Sequence, residues 1–183
     1  SEWNAEEIKS ALKIQEKMSY NKFVSSQPQY SMLWRVIESQ VVPVCKANGI
    51  GQIVWSPIAQ GALSGKYLPG KKPPAGSRAT DKKGGANMIN RWMTDDVLTA
   101  VQKLKPLADQ EGLTIGQLAL AWVLQNPNVS SAIIGATKPS QIKENVKASG
   151  VKLSNETLKA IDKALNSVIE RDPKKTTSPN PRA

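Results

Sequence analysis

The sequence predicts an α/β fold made of parallel βα units, and three observations predict it. Segments with helical spacing of apolar residues alternate with single short apolar runs that read as buried strands. Two of these runs end in polar, aromatic or small residues and lead on to a helix-like segment, the layout of parallel strands joined by crossovers. Only three strand-like runs occur in 183 residues, whereas a closed eight-stranded barrel of such units takes about 250 residues. Three parallel strands leave two open edges and an uncovered apolar face, so the chain is expected to be part of something larger. It also starts without Met, with Ser1-Glu2-Trp3 directly before a capped helix, as though a strand had been cut off.

Taken in order, residues 4–18 carry Ile8, Ala11, Leu12, Gln15 and Met18 at helical spacing, with Asn4 as N-cap. Residues 23–27 read as a strand ended by Pro28. A second helix is expected over 34–47, closed by Asn48-Gly49 and bent or broken at Pro43. Residues 51–55 read as a buried strand that ends in Ser56-Pro57. Residues 61–93, rich in Gly and Pro, are expected to be a long irregular loop, and such loops are usually functional. Val97, Val101, Leu104 and Ala108 mark one helix capped by Thr94 or Asp95 and kinked at Pro106. Another spans 114–125, a third strand 130–134, and a helix begins near Pro139. Ser154 caps the last helix, with Leu158, Ile161, Leu165 and Val168 on its apolar side. Residues 171–183 read as a basic terminal arm.

Composition removes several classes of function. With 39% apolar and 22% charged residues the chain can bury a core. No apolar run approaches the ~20 residues that span a bilayer, so no membrane insertion is expected. Cys45 is the only cysteine, which fits a reducing, cytoplasmic setting and leaves no disulfide or Cys-rich metal site. There is no histidine, so Ser-His-Asp and Cys-His catalysis and His-ligated zinc are excluded within these residues. Much of the +10 net charge sits in 61–93, where Lys66, Lys71, Lys72, Arg78, Lys82, Lys83 and Arg91 face a single acidic residue, Asp81. Such a loop is either a solvated surface or an embrace for a phosphate-bearing small ligand. Aromatic residues do not interleave these cations as a single-strand platform requires, so nucleic acid is not expected as a partner.

Three strand exits are the candidate sites, and all would open on one face. Gln27 and Tyr30 follow the first strand. Trp55, with Ser56, Pro57, Ile58, Ala59, Gln60, Gly61, Ala62, Leu63, Ser64, Gly65 and Lys66 behind it, ends the second. The indole is either a core side chain or a flat wall for a planar ring, with Ser64 and Lys66 in reach of phosphate. Arg78 suits an adenosine 2′-phosphate, because a guanidinium forks onto phosphate oxygens and stacks on adenine. After the third strand, Gly135-Ala136-Thr137 leads to a helix carrying Gln141, Glu144 and Asn145. That turn is an ordinary capped βα connection or a phosphate site with free backbone N–H groups.

Together these segments resemble the aldo-keto reductase superfamily, in the branch of the potassium-channel β-subunits and their bacterial relatives. The resemblance runs from Ser1 to about Leu165. Its motifs are Ser1-Glu2-Trp3, Gln27-Pro28-Gln29-Tyr30, the run from Trp55 to Gly61, Leu63 to Tyr67, Ser77-Arg78, Gln117 to Trp122, and Ile134 to Thr137 with Gln141, Glu144 and Asn145. It implies a (β/α)8 TIM barrel, of which residues 1–170 supply the C-terminal half with about the last three strands, the N-terminal half being absent. It also implies NADP(H) bound without a Rossmann fold. By the resemblance, Ser1 and Gln27 hold the nicotinamide carboxamide, and Trp55 stacks on the ring. Ser56 to Gly61, Leu63, Ser64 and Lys66 line the pyrophosphate, and 61–93 covers the cofactor. Arg78 and Thr137 receive the 2′-phosphate, and Gln141, Glu144 and Asn145 surround the adenosine, with Gly135 in the turn. Many members carry Asn in place of Glu2.

The family's catalytic Asp, Tyr, Lys and His lie before the end of the fifth strand, and this chain starts after it. No catalytic residue is therefore expected here, and Tyr30 and Tyr67 are not stand-ins. The implied activity is NADPH-dependent reduction of aldehydes and ketones to alcohols, with a small carbonyl substrate and a homo-oligomer as an open option. The alternative is a non-catalytic NADPH-binding subunit that senses redox state on a channel or other partner.

Overall fold

The computed structural model describes residues 1–176. Its centre is a three-stranded, fully parallel sheet in the order β1 (Ser25–Ser26), β2 (Gly51–Trp55), β3 (Val129–Ile133). The α/β expectation therefore holds, with three parallel strands. Ser25 pairs Gly51, and Trp55 pairs Ile133, with a register shift between Gln52 and Ile53. Residues 177–183 of the expected basic arm lie outside the described residues.

Capping decides where the helices start. Helix α1 (Ala5–Lys17) opens with a reciprocal box: Glu7 N–H donates to Asn4 Oδ1 at 2.9 Å, and Asn4 N–H to Glu7 Oε2 at 2.7 Å. Met18, expected on its buried face, instead lies past the helix end and is 52% exposed. Helix α2 (Val41–Ala47) is half the length that the sequence suggests. Pro43 fits only the first turn, where its missing N–H has no intrahelical use. The preceding backbone bonds elsewhere: Arg35 N–H donates to Glu170 O at 2.8 Å, and Glu170 N–H to Leu33 O at 2.9 Å. The expected strand over 23–27 shrinks to two residues because Pro28 has no N–H for the ladder. Pairing resumes beyond it, with Gln29 bridging Trp55.

The stretch 61–93 is irregular only in part, over 65–77 and 81–84. It holds 3-10 turns at Ala59–Ser64, Arg78–Thr80 and Asn90–Trp92, and helix α3 (Gly85–Ile89). Asp81 organises α3 by accepting from Lys83 N–H at 2.9 Å and Gly85 N–H at 3.2 Å. A Cβ on Gly85 would lie 2.6 Å from that carboxylate, so only glycine fits. Pro106 does more than kink. It ends one helix, α4 (Asp95–Gln102), and stands in the first turn of the next, α5 (Lys105–Gln110), because its ring leaves the Gln102 carbonyl without an N–H partner.

Helix α6 (Ile115–Leu124) is capped by Thr114 and Gln117 and is buried almost all round. It lies against the sheet, with α7 (Pro139–Val146) and α8 (Asn155–Leu165) completing the helical layer. One continuous core includes Cys45, Val54, Leu63, Leu104, Leu118 and Ile161. Beyond that core, both sides of the sheet stay apolar and open. Ile14, Tyr20 and Val24 are exposed on α1 and the approach to β1, and Ile133, Ile142 and Val146 on β3 and α7. Among the described residues no helix is long and apolar enough to cross a membrane.

Candidate functional site

Parallel strands release the chain at one edge, so Gln27, Ser56 and Ile134 leave the sheet on the same side. The residues before α1 fold back onto the first exit. Ser1 Oγ donates to Gln27 O at 2.6 Å. One oxygen of Glu2 accepts from Gln29 N–H at 2.5 Å and from the Trp55 indole Nε1–H at 3.0 Å. Trp55, half-buried at the end of β2, is thereby held by its indole edge.

Beyond Trp55 the backbone turns repeatedly through the left-handed region: Ser56 at φ +54°, Ala59 at +48°, Gln60 at +60° and Gly61 at +103°. Three left-handed residues in succession, Ala59 to Gly61, tighten the chain, and the turn uses its own N–H groups: Ala59 N–H donates to Ser56 O at 2.9 Å, and Gly61 and Leu63 N–H donate to Ile58 O at 2.9 and 3.2 Å. Gln60 fixes this curl. Its Nε2 donates to Ser56 Oγ, and its Oε1 accepts from Arg78 Nη1 at 2.9 Å. Ser64 Oγ donates to Gly61 O at 2.6 Å. Gln102 Nε2, from α4, donates to the carbonyls of Gly65 and Tyr67 at 3.1 and 3.0 Å. Lys66 is exposed, its ammonium 5.1 Å from the Tyr67 ring centroid. Pro57 and Gly61 are buried, Ile58 is half-buried, and Ala59 and Leu63 have no exposed surface at all. Those last two shape the turn and present nothing to a ligand in this conformation.

At the third exit Gly135 and Thr137 are exposed. The expected free N–H groups are partly occupied there. Gln141 Oε1 accepts from Thr137 N–H at 2.7 Å, Lys138 N–H at 3.2 Å and Thr137 Oγ1 at 3.3 Å. Gln117, on α6, donates to Glu144 O at 2.8 Å, which ties α7 down, and Asn145 beside it is half-buried. An anion at this turn would have to displace Gln141 or use the Gly135 and Ala136 amides.

The seven cations of the 61–93 stretch are all exposed, and among the described residues none forms an ion pair. Of the three tyrosines, Tyr20 is 61% exposed after α1 and the other two are buried. Tyr30 is 2% exposed and donates to Glu38 Oε1 at 2.7 Å; burial above all, and then the Glu38 carboxylate, pushes its hydroxyl well above the usual tyrosine range. Tyr67 is 1% exposed. Trp92 packs edge-on against Trp34 with centroids 6.3 Å apart, under the Arg91 guanidinium. Sequence reasoning missed the Glu2 grip on Trp55, the Gln60 tether of Arg78 and the Gln102 clamp, each between residues far apart in the chain.

Comparison with known proteins is consistent over almost the whole length. The family described as "Aldo/keto reductase family" matches residues 1–166. A probable voltage-gated potassium channel subunit beta of Arabidopsis thaliana is 41% identical over 97% of this chain and 53% of its own length. A putative voltage-gated potassium channel subunit beta of Schizosaccharomyces pombe is 44% identical over 91% and 49%. An NADH-specific methylglyoxal reductase of Escherichia coli is 34% identical over 78% and 42%. The chain thus spans about half the length of these relatives.

Proposed function

The chain belongs to the aldo/keto reductase family, in the branch that holds the potassium-channel β subunits, and from that premise we propose that it carries the cofactor-binding half of an NADPH-dependent reductase of aldehydes and ketones. Residues 1–170 would form the later part of a (β/α)8 barrel in the cytoplasm, with the 61–93 stretch over the cofactor. The observation that carries this reading is the β2 exit: an indole held at the strand end, a curled backbone behind it, and Arg78 tethered to that curl by Gln60. Flat wall, a turn that carries the Ser64 hydroxyl and the exposed Lys66 ammonium, and guanidinium come in the order that a nicotinamide ring, a pyrophosphate and a 2′-phosphate require.

When bound, NADPH would supply a hydride to the substrate's carbonyl carbon. This chain's own part is binding and orientation. Ser1 and Gln27 would hold the carboxamide, Trp55 the ring face, and the Ser56–Gln60 backbone with Ser64 and Lys66 the pyrophosphate. Arg78 and Thr137 would receive the 2′-phosphate, with Gln141, Glu144 and Asn145 around the adenosine. By the resemblance, the proton donor to the developing alcohol would come from outside these residues; Tyr30 and Tyr67 are both buried.

Cofactor choice tests the reading, because one relative is named as NADH-specific. The purified protein is expected to bind NADPH more tightly than NADH. Arg78→Ala should weaken NADPH binding about 10- to 100-fold, the worth of a charge-assisted pair, and leave NADH nearly unchanged. Equal affinities in the unsubstituted protein, measured by tryptophan quenching, would sink the proposal. A second reading, a redox-sensing NADPH-binding subunit of a channel, draws on the names of the plant and yeast relatives. A stable membrane partner together with negligible turnover would favour it.

A further inference from the structure

We infer that Glu2 is a charged positioning residue of the nicotinamide site, one that sets the Trp55 indole and tilts the site toward the oxidised form of the cofactor. The inference rests on the cofactor reading above and goes one step beyond it. Glu2 Oε1 is shared between a main-chain N–H of the first strand exit and the indole N–H of the second, at 2.5 and 3.0 Å. The second oxygen has no hydrogen-bond partner among the described residues, and no cation lies within 4 Å of the carboxylate. Glu2 also sits at φ +57°, a left-handed conformation that costs a non-glycine residue stability. Two neutral donors do not need a formal charge: a side-chain amide oxygen could accept both.

The unbalanced charge has an electrostatic consequence. A ring resting on the Trp55 indole would lie beside a half-buried carboxylate with no cation within 4 Å among the described residues. The oxidised nicotinamide ring is cationic and the reduced ring is neutral, so the carboxylate stabilises the first and is nearly indifferent to the second. Glu2→Gln keeps an acceptor for both donors and removes only the charge. Glu2→Ala removes the acceptor as well.

The test is calorimetric titration of the purified protein and both variants with NADP⁺ and with NADPH, alongside thermal melts to confirm folding. Glu2→Gln is expected to lower the affinity for NADP⁺ relative to NADPH by about tenfold, the size of one charge acting across a partly screened gap of several ångströms. Through the thermodynamic cycle that tenfold change is about 30 mV in the potential of the bound two-electron couple. Glu2→Ala is expected to lose the same preference and also to weaken both forms by freeing the indole. An unchanged NADP⁺/NADPH ratio in a Glu2→Gln protein that still binds both would overturn the inference and leave the cofactor reading intact. An unsubstituted protein that binds neither form overturns both.

Discussion

Asp162 is half exposed, yet it stabilises the most enclosed cation among the described residues. Arg35, 5% exposed, donates to Asp162 Oδ1 at 2.6 Å and through Nε to Met32 O at 3.0 Å, while its guanidinium lies 4.4 Å from the Trp122 ring. Asp162→Ala leaves that guanidinium with half its partners and should cost roughly 1.5–3 kcal/mol, the worth of a hydrogen bond to a charged group, read from denaturant unfolding. Residue chemistry was also the most legible part of the candidate site. Trp55, Lys66 and Arg78 announce themselves by type and by their place after a strand. Their supports do not: Glu2 and Trp55 are 53 positions apart, Arg78 and Gln60 18, and Gln102 and Gly65 37. No local pattern encodes such a pair, since only the folded sheet edge makes them neighbours.

At the scale of elements, helices with strong caps were readable and those shaped by tertiary bonding were not. Asn4, Thr94, Thr114 and Ser154 each accept a backbone N–H from the first turn of their helix. Their side-chain oxygens satisfy donors that the helix itself cannot. Thr114→Ala should therefore cost about 1 kcal/mol, measured as a shift in unfolding midpoint at constant slope, because the Gln117 backbone N–H loses its acceptor, Thr114 Oγ1, while the Thr114 N–H keeps Gln117 Oε1. The segment 31–40 misleads a periodicity reading for the opposite reason. Its apolar residues are buried as helical spacing suggests, but Arg35 N–H and the Leu33 carbonyl bond to Glu170, 135 or more residues downstream. Similarly, β1 is brief because of Pro28, while the chain stays beside β2 as far as Gln29.

For the molecule as a whole, the open sheet dominates. A short parallel sheet is normally covered on both faces and flanked by further strands. Here Val24 is 74% exposed beside β1 and Ile133 43% exposed on β3. On the proposed barrel these side chains meet additional βα units. The 183-residue chain produced by itself is accordingly expected to self-associate, with a sedimentation coefficient that rises with concentration. A chain that stays monomeric across the micromolar range would count against the proposed closure. The parallel arc was legible from strand count and alternation. What completes it was not, because periodicity reports only the chain in hand.

The left-handed turn after Trp55 has an evolutionary consequence as well. Glycine would occupy the Gln60 position with less strain, yet glycine has no side chain to join Ser56 to Arg78. Selection for thermal tolerance alone would thus favour dissolving the side-chain link that ties Arg78 to the strand end. Variants hardened without a demand for ligand binding should drift at this position early, and on the proposed reading the first property they surrender would be discrimination between phosphorylated and unphosphorylated cofactor.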